Sequence, residues 1–188
     1  MISDTEFPRV VAAAGQGEAW ALAALYRSYQ PLLLRYLRAQ EGDAGDDLAS
    51  EAWIGVARGL AHFQGDQSAF RSWLFTIARR RLIEFRRRNT RRRTDAVASD
   101  RLDDVDLRNR LDPEVDVLDR LTAQSAVDEM VAGLPRDQAE AVLLRVVGGL
   151  PVAEVARLME RSPGHVRVLC HRALRKLAER YGPEVRTA

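Results

Sequence analysis

Cysteine is almost absent from the sequence, since Cys170 is the only one. A single cysteine cannot close a disulfide within the chain, and it cannot supply a cysteine-rich zinc site. The histidines offer no substitute, because His165 and His171 are six positions apart, a poor spacing for two ligands on one helical face. We therefore expect no metal and no cofactor, and we expect Cys170 to act as a small apolar side chain.

Long hydrophobic runs are also lacking. Runs such as residues 142–144 are far too short to span a bilayer. The N-terminal sequence MISDTEFPRV has no basic segment followed by an apolar stretch, so no secretory signal is expected. Glycine-rich phosphate loops and the Gly-x-Ser-x-Gly motif of hydrolases are missing as well. These absences predict a cytoplasmic protein that spans no membrane and has no catalytic residues.

The composition is that of a globular protein, with 46% hydrophobic and 30% charged residues. A chain of 188 residues can hold one medium domain or two small ones, each with a thin core. The apolar residues recur at helical spacing, and the alternating pattern of half-buried strands is missing. The predicted fold class is therefore all-α.

The pattern divides the chain into two small helical domains. In the first, residues 1–93, helices are predicted at 18–40, 46–62 and 69–88. Ser68 ends the loop before the third of these helices and is a candidate helix cap. Residues 94–120 lose the apolar stripe and gain many aspartates and glutamates, which predicts an extended acidic linker. The second domain, residues 121–188, is predicted to contain helices at 123–132, 135–147, 151–160 and 163–180.

The last two of these helices have the pattern of a helix-turn-helix. A short apolar helix precedes a tight turn, and Ser162 followed by Pro163 is suited to begin the next helix. That helix is predicted to bury Val166, Cys170, Ala173 and Leu177. Its outer face is basic, which suits the phosphate-lined major groove of DNA; it carries Arg167, His171, Arg172 and Arg175. The alternative is an ordinary helical hairpin with a solvated charged face.

Three arginine triplets, at 79–81, 86–88 and 91–93, lie on and beyond the predicted third helix. So dense a cluster of like charge repels itself, and nucleic-acid phosphates are the expected counter-charge. Phe63, Phe70 and Trp73 are candidates for stacking on unpaired bases. Phe70 and Trp73 fall on the apolar stripe, however, and core packing is the preferred interpretation for those two.

Acidic residues begin the predicted second helix, at Asp46, Asp47 and Glu51. Such carboxylates can hold magnesium in a nuclease, but no lysine or histidine nearby completes a site. Carboxylates in a first helical turn also follow from the helix dipole alone. The preferred functional interpretation is docking to a basic protein surface.

Together these segments resemble the extracytoplasmic-function group of sigma factors over most of residues 7–182. GDDLASEAW at 45–53 is similar to the polymerase-docking helix of sigma region 2, and FRSWLFTIARRRLIEFRRR at 70–88 resembles the promoter-melting helix that follows it. Residues 134–177 resemble sigma region 4. The resemblance implies two small helical domains, region 2 and region 4 with its helix-turn-helix, joined by the acidic linker.

The resemblance also implies a function and its sites. The protein would bind core RNA polymerase, through the clamp helices and flap, and promoter DNA, with an anti-sigma factor as a further candidate partner. The residues implied for polymerase binding are Asp46, Asp47, Glu51 and Trp53. Those implied for the −10 element are His62, Phe63, Gln64, Asp66, Ser68, Arg79, Arg80, Arg86 and Arg87. Those implied for the −35 element are His165, Arg167, Val168, Leu169, His171, Arg172 and Arg175.

Val168 and Leu169 depart from the family, which usually has polar residues at these two positions. With Val166 and Cys170 already predicted to face inward, the helix does not need both for its core, so at least one is expected to be exposed. A different class of function remains open beside the sigma factor. It is a stand-alone helix-turn-helix regulator, generally a symmetric dimer, that binds operators without polymerase.

Overall fold

The computed structural model describes residues 2–96, 127 and 129–182, and within these residues the regular structure is helical, without strands. This confirms the predicted all-α class. In the first module, described over residues 2–96, the α-helices are α1 (Phe7–Gly15), α2 (Ala19–Glu41), α3 (Ala44–Gly59) and α4 (Gln67–Ala96), with a single 3-10 turn at Leu60–His62. In the second module, described over residues 127 and 129–182, they are α5 (Arg136–Val146), α6 (Val152–Met159) and α7 (Pro163–Tyr181), after a helical segment at 129–132.

The predicted helices are confirmed within a few residues, but α1 was not predicted as a separate helix. Its buried residues are Phe7, Val10 and Ala14. The ring of Phe7 meets that of Phe70 on α4 edge to face, with the centroids 5.6 Å apart. α1 therefore closes one side of the core between α2 and α4.

The α4 helix differs from its prediction at both ends. It begins at Gln67, and Asp66 rather than Ser68 caps it, since the backbone N–H of Ala69 donates to Asp66 Oδ1 at 2.8 Å. At the other end it continues to Ala96, beyond the predicted end at Arg88. Arginine is a good helix former, and ion pairs from Arg80 and Arg81 to Glu84 offset part of the repulsion within the run.

Close packing of α3 on α2 depends on Gly45. A Cβ at this position would lie 2.7 Å from the backbone nitrogen of Arg38, so any side chain would push the two helices apart. The contact sets Arg38 beside the first turn of α3, where it meets Asp46. This glycine therefore positions the acidic end of α3.

The helix α5 is buried on nearly all sides, although it is only 11 residues long. Its buried residues include the apolar Ala141, Leu143 and Leu144 and also Gln138 and Glu140. The buried stretch is residues 138–144, and a helical stretch with no solvated face lies between other elements. One side of α5 packs on α7 and the other on α2 of the first module, so the buried residues of both modules form a single core.

Among the described residues, no helix combines the length and the apolar character needed to cross a membrane. The predicted acidic linker at 94–120 lies outside the described residues except for its first three positions, which continue α4. The predicted helix at 123–132 is described only at 127 and 129–132, where it is helical.

Candidate functional site

The acidic end of α3 contains carboxylates in different environments. Asp46 is held by Arg38, whose Nε and Nη2 donate to its two oxygens at 2.9 and 2.6 Å. Glu51 is 3.8 Å from an Arg88 nitrogen on α4. Asp47 is exposed and forms no ion pair or hydrogen bond within the described part of the chain. Asp47 and the loosely paired Glu51 are therefore the carboxylates available to a partner.

Apolar surface lies next to these carboxylates. Trp53 Nε1 donates to Gln30 Oε1 at 2.6 Å, and its ring packs against Tyr26 with the centroids 5.2 Å apart. Tyr26 and Ile54 are about half exposed, at 46% and 51%. Acidic groups beside exposed aromatic and aliphatic side chains form a surface suited to a protein partner with basic and apolar groups.

The loop before α4 presents the residues implied for the −10 element. His62, Gln64, Asp66 and Ser68 are exposed, while Phe63 is half-buried. The Phe63 ring stacks on Trp73 with the centroids 5.1 Å apart and the planes 30° from parallel. Phe70 is fully buried, as predicted, and Trp73 is half-buried beside it. A ring pair at the edge of a polar loop can support an unstacked base.

The four arginines implied for the −10 element fall into two classes. Arg80 and Arg87 are exposed, although Arg80 also contacts Glu84 at 3.2 Å. Arg86 is mostly buried and donates to Glu41 at 2.5 Å and to Gln40 at 3.1 Å. Arg79 is also mostly buried and donates from Nε to Glu140 of the second module at 2.7 Å. Only Arg80 and Arg87 of this set present exposed side chains to a ligand in this arrangement.

The helix-turn-helix is formed by α6 and α7. Glu160 ends α6 in the left-handed region, at φ 56°, and Ser162 Oγ accepts from the backbone N–H of His165 at 3.2 Å, as the sequence predicts for a cap. Val166 and Ala173 are buried against the module, and Cys170 is partly buried. Burial raises the pKa of the Cys170 thiol, which agrees with its expected role as an apolar side chain.

The outer face of α7 contains six of the seven residues implied for the −35 element. His165, Arg167, Val168, His171, Arg172 and Arg175 are all exposed. Leu169 is the exception: it is 6% exposed and belongs to the core, because it lies three residues after Val166 on the same helical face. The expectation that at least one of Val168 and Leu169 is exposed is correct, and Val168 is that residue, at 45%.

An apolar groove of about 610 Å³ opens on the second module between α5, α7 and the residues Val127, Met130 and Val131. Val146 and Leu174 border it and are 69% and 54% exposed. Sequence reasoning did not identify this groove, since its residues come from separate helices. Within the described residues, no group of three or more histidine, cysteine, aspartate or glutamate side chains is placed to hold a metal ion.

The contact between the modules was also missed. Glu140 is 4% exposed, and besides Arg79 it accepts from the hydroxyl of Tyr36 on α2 at 3.4 Å. Burial, and secondarily the Glu140 carboxylate, raise the pKa of the Tyr36 phenol far above its ordinary value. The sequence contained little signal for this contact, because Glu140 follows the charged Arg136 and Asp137 on its own helix and Arg79 lies 61 positions away.

Two family models match this chain. Sigma-70 region 2 matches residues 25–92, and Sigma-70, region 4 matches residues 124–177. The ECF RNA polymerase sigma factor BldN of Streptomyces coelicolor is 33% identical over 171 residues, which are 90% of this chain and 63% of BldN. The RNA polymerase sigma factor YlaC of Bacillus subtilis is 38% identical over 69 residues, 36% of this chain and 39% of YlaC. The chain thus spans less than two thirds of the length of these relatives.

Two solved structures share the fold. The sigma factor RpoE of Bartonella quintana, solved with the anti-sigma factor NepR, matches with a TM-score of 0.61 and 20% identity, covering 86% of this chain and 98% of RpoE. CnrH, solved with the cytosolic domain of CnrY, matches with a TM-score of 0.59 and 18% identity, covering 93% and 96% of the two chains. With both regions matched in order on an all-helical fold, this chain belongs to the extracytoplasmic-function group of the sigma-70 family.

Proposed function

We propose that this protein is an RNA polymerase sigma factor that directs promoter-specific transcription initiation by binding core polymerase and the −10 and −35 elements. One observation carries the proposal: a single chain presents an acidic and apolar surface on α3, an arginine helix on α4 and an exposed basic recognition helix on α7. Members of this family are regulatory subunits rather than catalysts. In this proposal, residues 1–93 are region 2, 94–120 the acidic linker and 121–188 region 4.

The α3 surface is proposed to bind the polymerase clamp helices. Asp47 and Glu51 supply negative charge that steers association with a basic partner, and the apolar neighbours Trp53 and Ile54 supply buried area. Asp46 has a different role, because Arg38 already satisfies its carboxylate. Asp46 is therefore proposed to orient the start of α3 rather than to contact polymerase.

The loop His62–Ser68 and α4 are proposed to bind the −10 element. A base turned out of its stack would rest beside Phe63 and Trp73, where the exposed polar side chains of Gln64 and Asp66 can read its edge. Arg80 and Arg87 would contact the phosphates of the same strand. Affinity here should be salt-dependent, because each neutralised phosphate releases counterions.

The exposed face of α7 is proposed to read the −35 element in the major groove. The side chains available are His165, Arg167, Val168, His171, Arg172 and Arg175. Arginine can pair with both acceptors of guanine, and an aliphatic side chain can pack on the methyl group of thymine. Leu169 is removed from this set, since it is buried.

The apolar groove on the second module is proposed to bind the polymerase flap. An apolar helix fits a groove bordered by the exposed Val146 and Leu174, and region 4 would then be held on polymerase at the distance of the −35 element. A cytoplasmic location follows from binding to polymerase. An anti-sigma factor is a further proposed partner, because both solved relatives were determined with a protein partner and that of RpoE is an anti-sigma factor.

The proposal is tested by run-off transcription with purified core polymerase and a library of promoter fragments. Specific transcripts that require the added protein would support it, and their start sites would reveal the promoter elements. The proposal would be contradicted if the folded protein co-purified poorly with core polymerase and no promoter fragment gave a specific transcript.

The stand-alone regulator is the second candidate, favoured only by the exposed helix-turn-helix. Operator-binding proteins of this type are generally symmetric dimers, whereas a free sigma factor should be monomeric. Sedimentation equilibrium distinguishes the two. A tight dimer that binds duplex DNA specifically at physiological salt without polymerase would favour the regulator.

A further inference from the structure

The two rings proposed to support an unstacked base, those of Phe63 and Trp73, rest on a filled core. Phe70 is fully buried, and the centroid of its ring lies 5.4 Å from that of Phe63 and 5.8 Å from that of Trp73. Phe70 is held in turn by Phe7 of α1 and Tyr29 of α2, with centroids 5.6 and 5.0 Å away. A close-packed interior has no room for another ring. If Trp73 is displaced, it must therefore move outward.

One edge of the Trp73 ring lies against Gly59, the last residue of α3. A Cβ at position 59 would be 2.7 Å from Trp73 Cζ2 and 3.3 Å from Cη2, both on the six-membered part of the indole. Carbon atoms that are not bonded to each other pack best at about 3.5–4.0 Å. A side chain at position 59 and the indole in its present place therefore exclude each other.

The backbone does not require glycine at this position. Gly59 has φ −97° and ψ −12°, a conformation that most residues adopt in turns. Alanine is also a better helix former than glycine, so Gly59→Ala should not weaken the end of α3 by itself. The missing side chain therefore provides space for the indole of Trp73 rather than freedom for the chain.

We propose that Gly59 is a positioning residue for base capture at the −10 element, because it lets the Trp73 ring lie where it supports an unstacked base together with Phe63. The inference rests on the proposed −10 contact and adds to it the residue that sets the ring geometry. Gly59→Ala turns the indole outward, since Phe70 blocks the inward path. The stack of Trp73 on Phe63, with centroids 5.1 Å apart and planes 30° from parallel, is then lost. A base needs such a ring face in a fixed orientation in order to stack on it.

The first measurement is the environment of the Trp73 ring in the full chain. The sequence has three tryptophans, so Trp20→Phe with Trp53→Phe leaves Trp73 as the only one. In this background Gly59→Ala should shift the tryptophan emission to longer wavelength, because more of the indole meets water. A circular-dichroism melt of the same proteins should show that the helices are kept.

The matched control is Gly55→Ala, four residues earlier on α3. A Cβ there would lie 2.9 Å from Ile77 Cγ2 on α4 and would touch neither ring of the pair. This variant crowds the same two helices at another point, so it should leave the emission of Trp73 unchanged. Unchanged emission in Gly59→Ala, or an equal shift in both variants, would overturn the proposal.

The second measurement is the contribution of the bases to binding of single-stranded DNA. Two fluorescein-labelled strands of equal length are compared by anisotropy at one salt concentration, one with mixed bases and one built from abasic tetrahydrofuran units. Both present the same phosphates to Arg80 and Arg87, so the ratio of the two affinities reports the bases alone. The wild type and Gly55→Ala should prefer the strand with bases about fivefold or more. Gly59→Ala should lose most of that preference and keep its affinity for the abasic strand, whereas a general structural defect would weaken both.

A smaller ring at position 73 shows whether a collision is the cause. Phenylalanine lacks the outer part of the indole that a Cβ at position 59 would meet. Gly59→Ala with Trp73→Phe should therefore melt at the same temperature as Trp73→Phe alone, even if Gly59→Ala destabilises the wild-type chain. An equal loss of stability in both backgrounds would overturn the proposal.

The outcomes separate this inference from the function on which it rests. A wild type without a preference for bases would remove the ring pair as the base site, and the positioning role with it. A preference that survives in Gly59→Ala would overturn the positioning role alone. Specific initiation by the wild type in run-off transcription would leave the sigma function standing in both cases.

Discussion

Val168 and Leu169 are adjacent in the chain, yet they lie on different faces of α7: Val168 is 45% exposed and Leu169 only 6%. Consecutive residues of an α-helix are about 100° apart around its axis, so one step is enough to move a side chain from the core to the surface. The two aliphatic residues therefore have different surroundings, one in solvent and one in the core. Substitutions at Val168 should change DNA recognition, whereas substitutions at Leu169 should change the stability of the fold.

Val168→Ser should weaken recognition of the −35 element by about 1 kcal/mol, the low end of single-base discrimination. The expected physical cause is loss of packing on a thymine methyl group, with Arg167 or Arg172 reading an adjacent guanine. The measurement is transcription from promoters in which uracil, which lacks the methyl group, replaces each upstream thymine in turn. Unchanged initiation across the whole series would leave protein packing as the role of Val168.

Leu169→Ala should lower the free energy of unfolding by about 2–3 kcal/mol, because it leaves a cavity beneath α7. Chemical denaturation of the two variants gives the comparison. Val168→Ala is the matched control and should change stability by less than about 1 kcal/mol, since its side chain is nearly half exposed. A stability loss of equal size in both variants would contradict the assignment of Leu169 to the core and Val168 to the surface.

Asp47→Arg combined with Glu51→Arg should weaken binding to core polymerase without unfolding the protein, because it reverses the charge of the proposed docking surface. Co-purification with core polymerase and a thermal melt provide the two readouts. Asp46→Asn is the informative comparison: it should cost about 0.5 kcal/mol of stability, since its partly exposed ion pair is lost, and should affect docking less. Wild-type docking by a folded double variant would exclude this surface as the binding site.

Arg87→Ala should reduce the salt dependence of DNA binding. The slope of the logarithm of the binding constant against the logarithm of the salt concentration should become less negative by about 1, the value for one phosphate contact. Arg86→Ala should instead lower stability, because it leaves the largely buried Glu41 carboxylate without its ion pair. Binding isotherms at several salt concentrations and thermal melts of both variants test this division. The same slope change in both, with no loss of stability in Arg86→Ala, would argue against it.

Tyr36→Phe should make the protein less sensitive to alkaline pH. Burial raises the pKa of the folded Tyr36 phenol, so the unfolded chain loses this proton near pH 10 while the folded chain keeps it. The stabilisation by Tyr36 is therefore present below about pH 10 and is lost as the pH rises above it. Thermal melts between pH 8 and 11 should fall less steeply in Tyr36→Phe. Tyr26→Phe, at a half-exposed ring, is the control.

Helical periodicity was sufficient to predict most of the fold. The apolar stripes of α2 to α7 give their approximate bounds, because an amphipathic helix must present one face to a core whatever its partner is. The predictions failed where a helix end depends on other groups. Asp66, not Ser68, caps α4, and α4 runs on to Ala96, past the end of its apolar stripe, because arginine is a good helix former.

The sequence by itself determined the all-helical class, the basic face of α7 and the exposure of either Val168 or Leu169, since these depend on the spacing of residues within one helix. Tertiary structure decided which charged side chains are exposed and so available to a ligand. Arg79 and Arg80 are neighbours in one arginine run, but Arg79 is paired with Glu140 of the other module while Arg80 is 81% exposed. That difference depends on how two modules pack together. No local pattern contains it, because the partner that neutralises Arg79 lies 61 positions away in the chain.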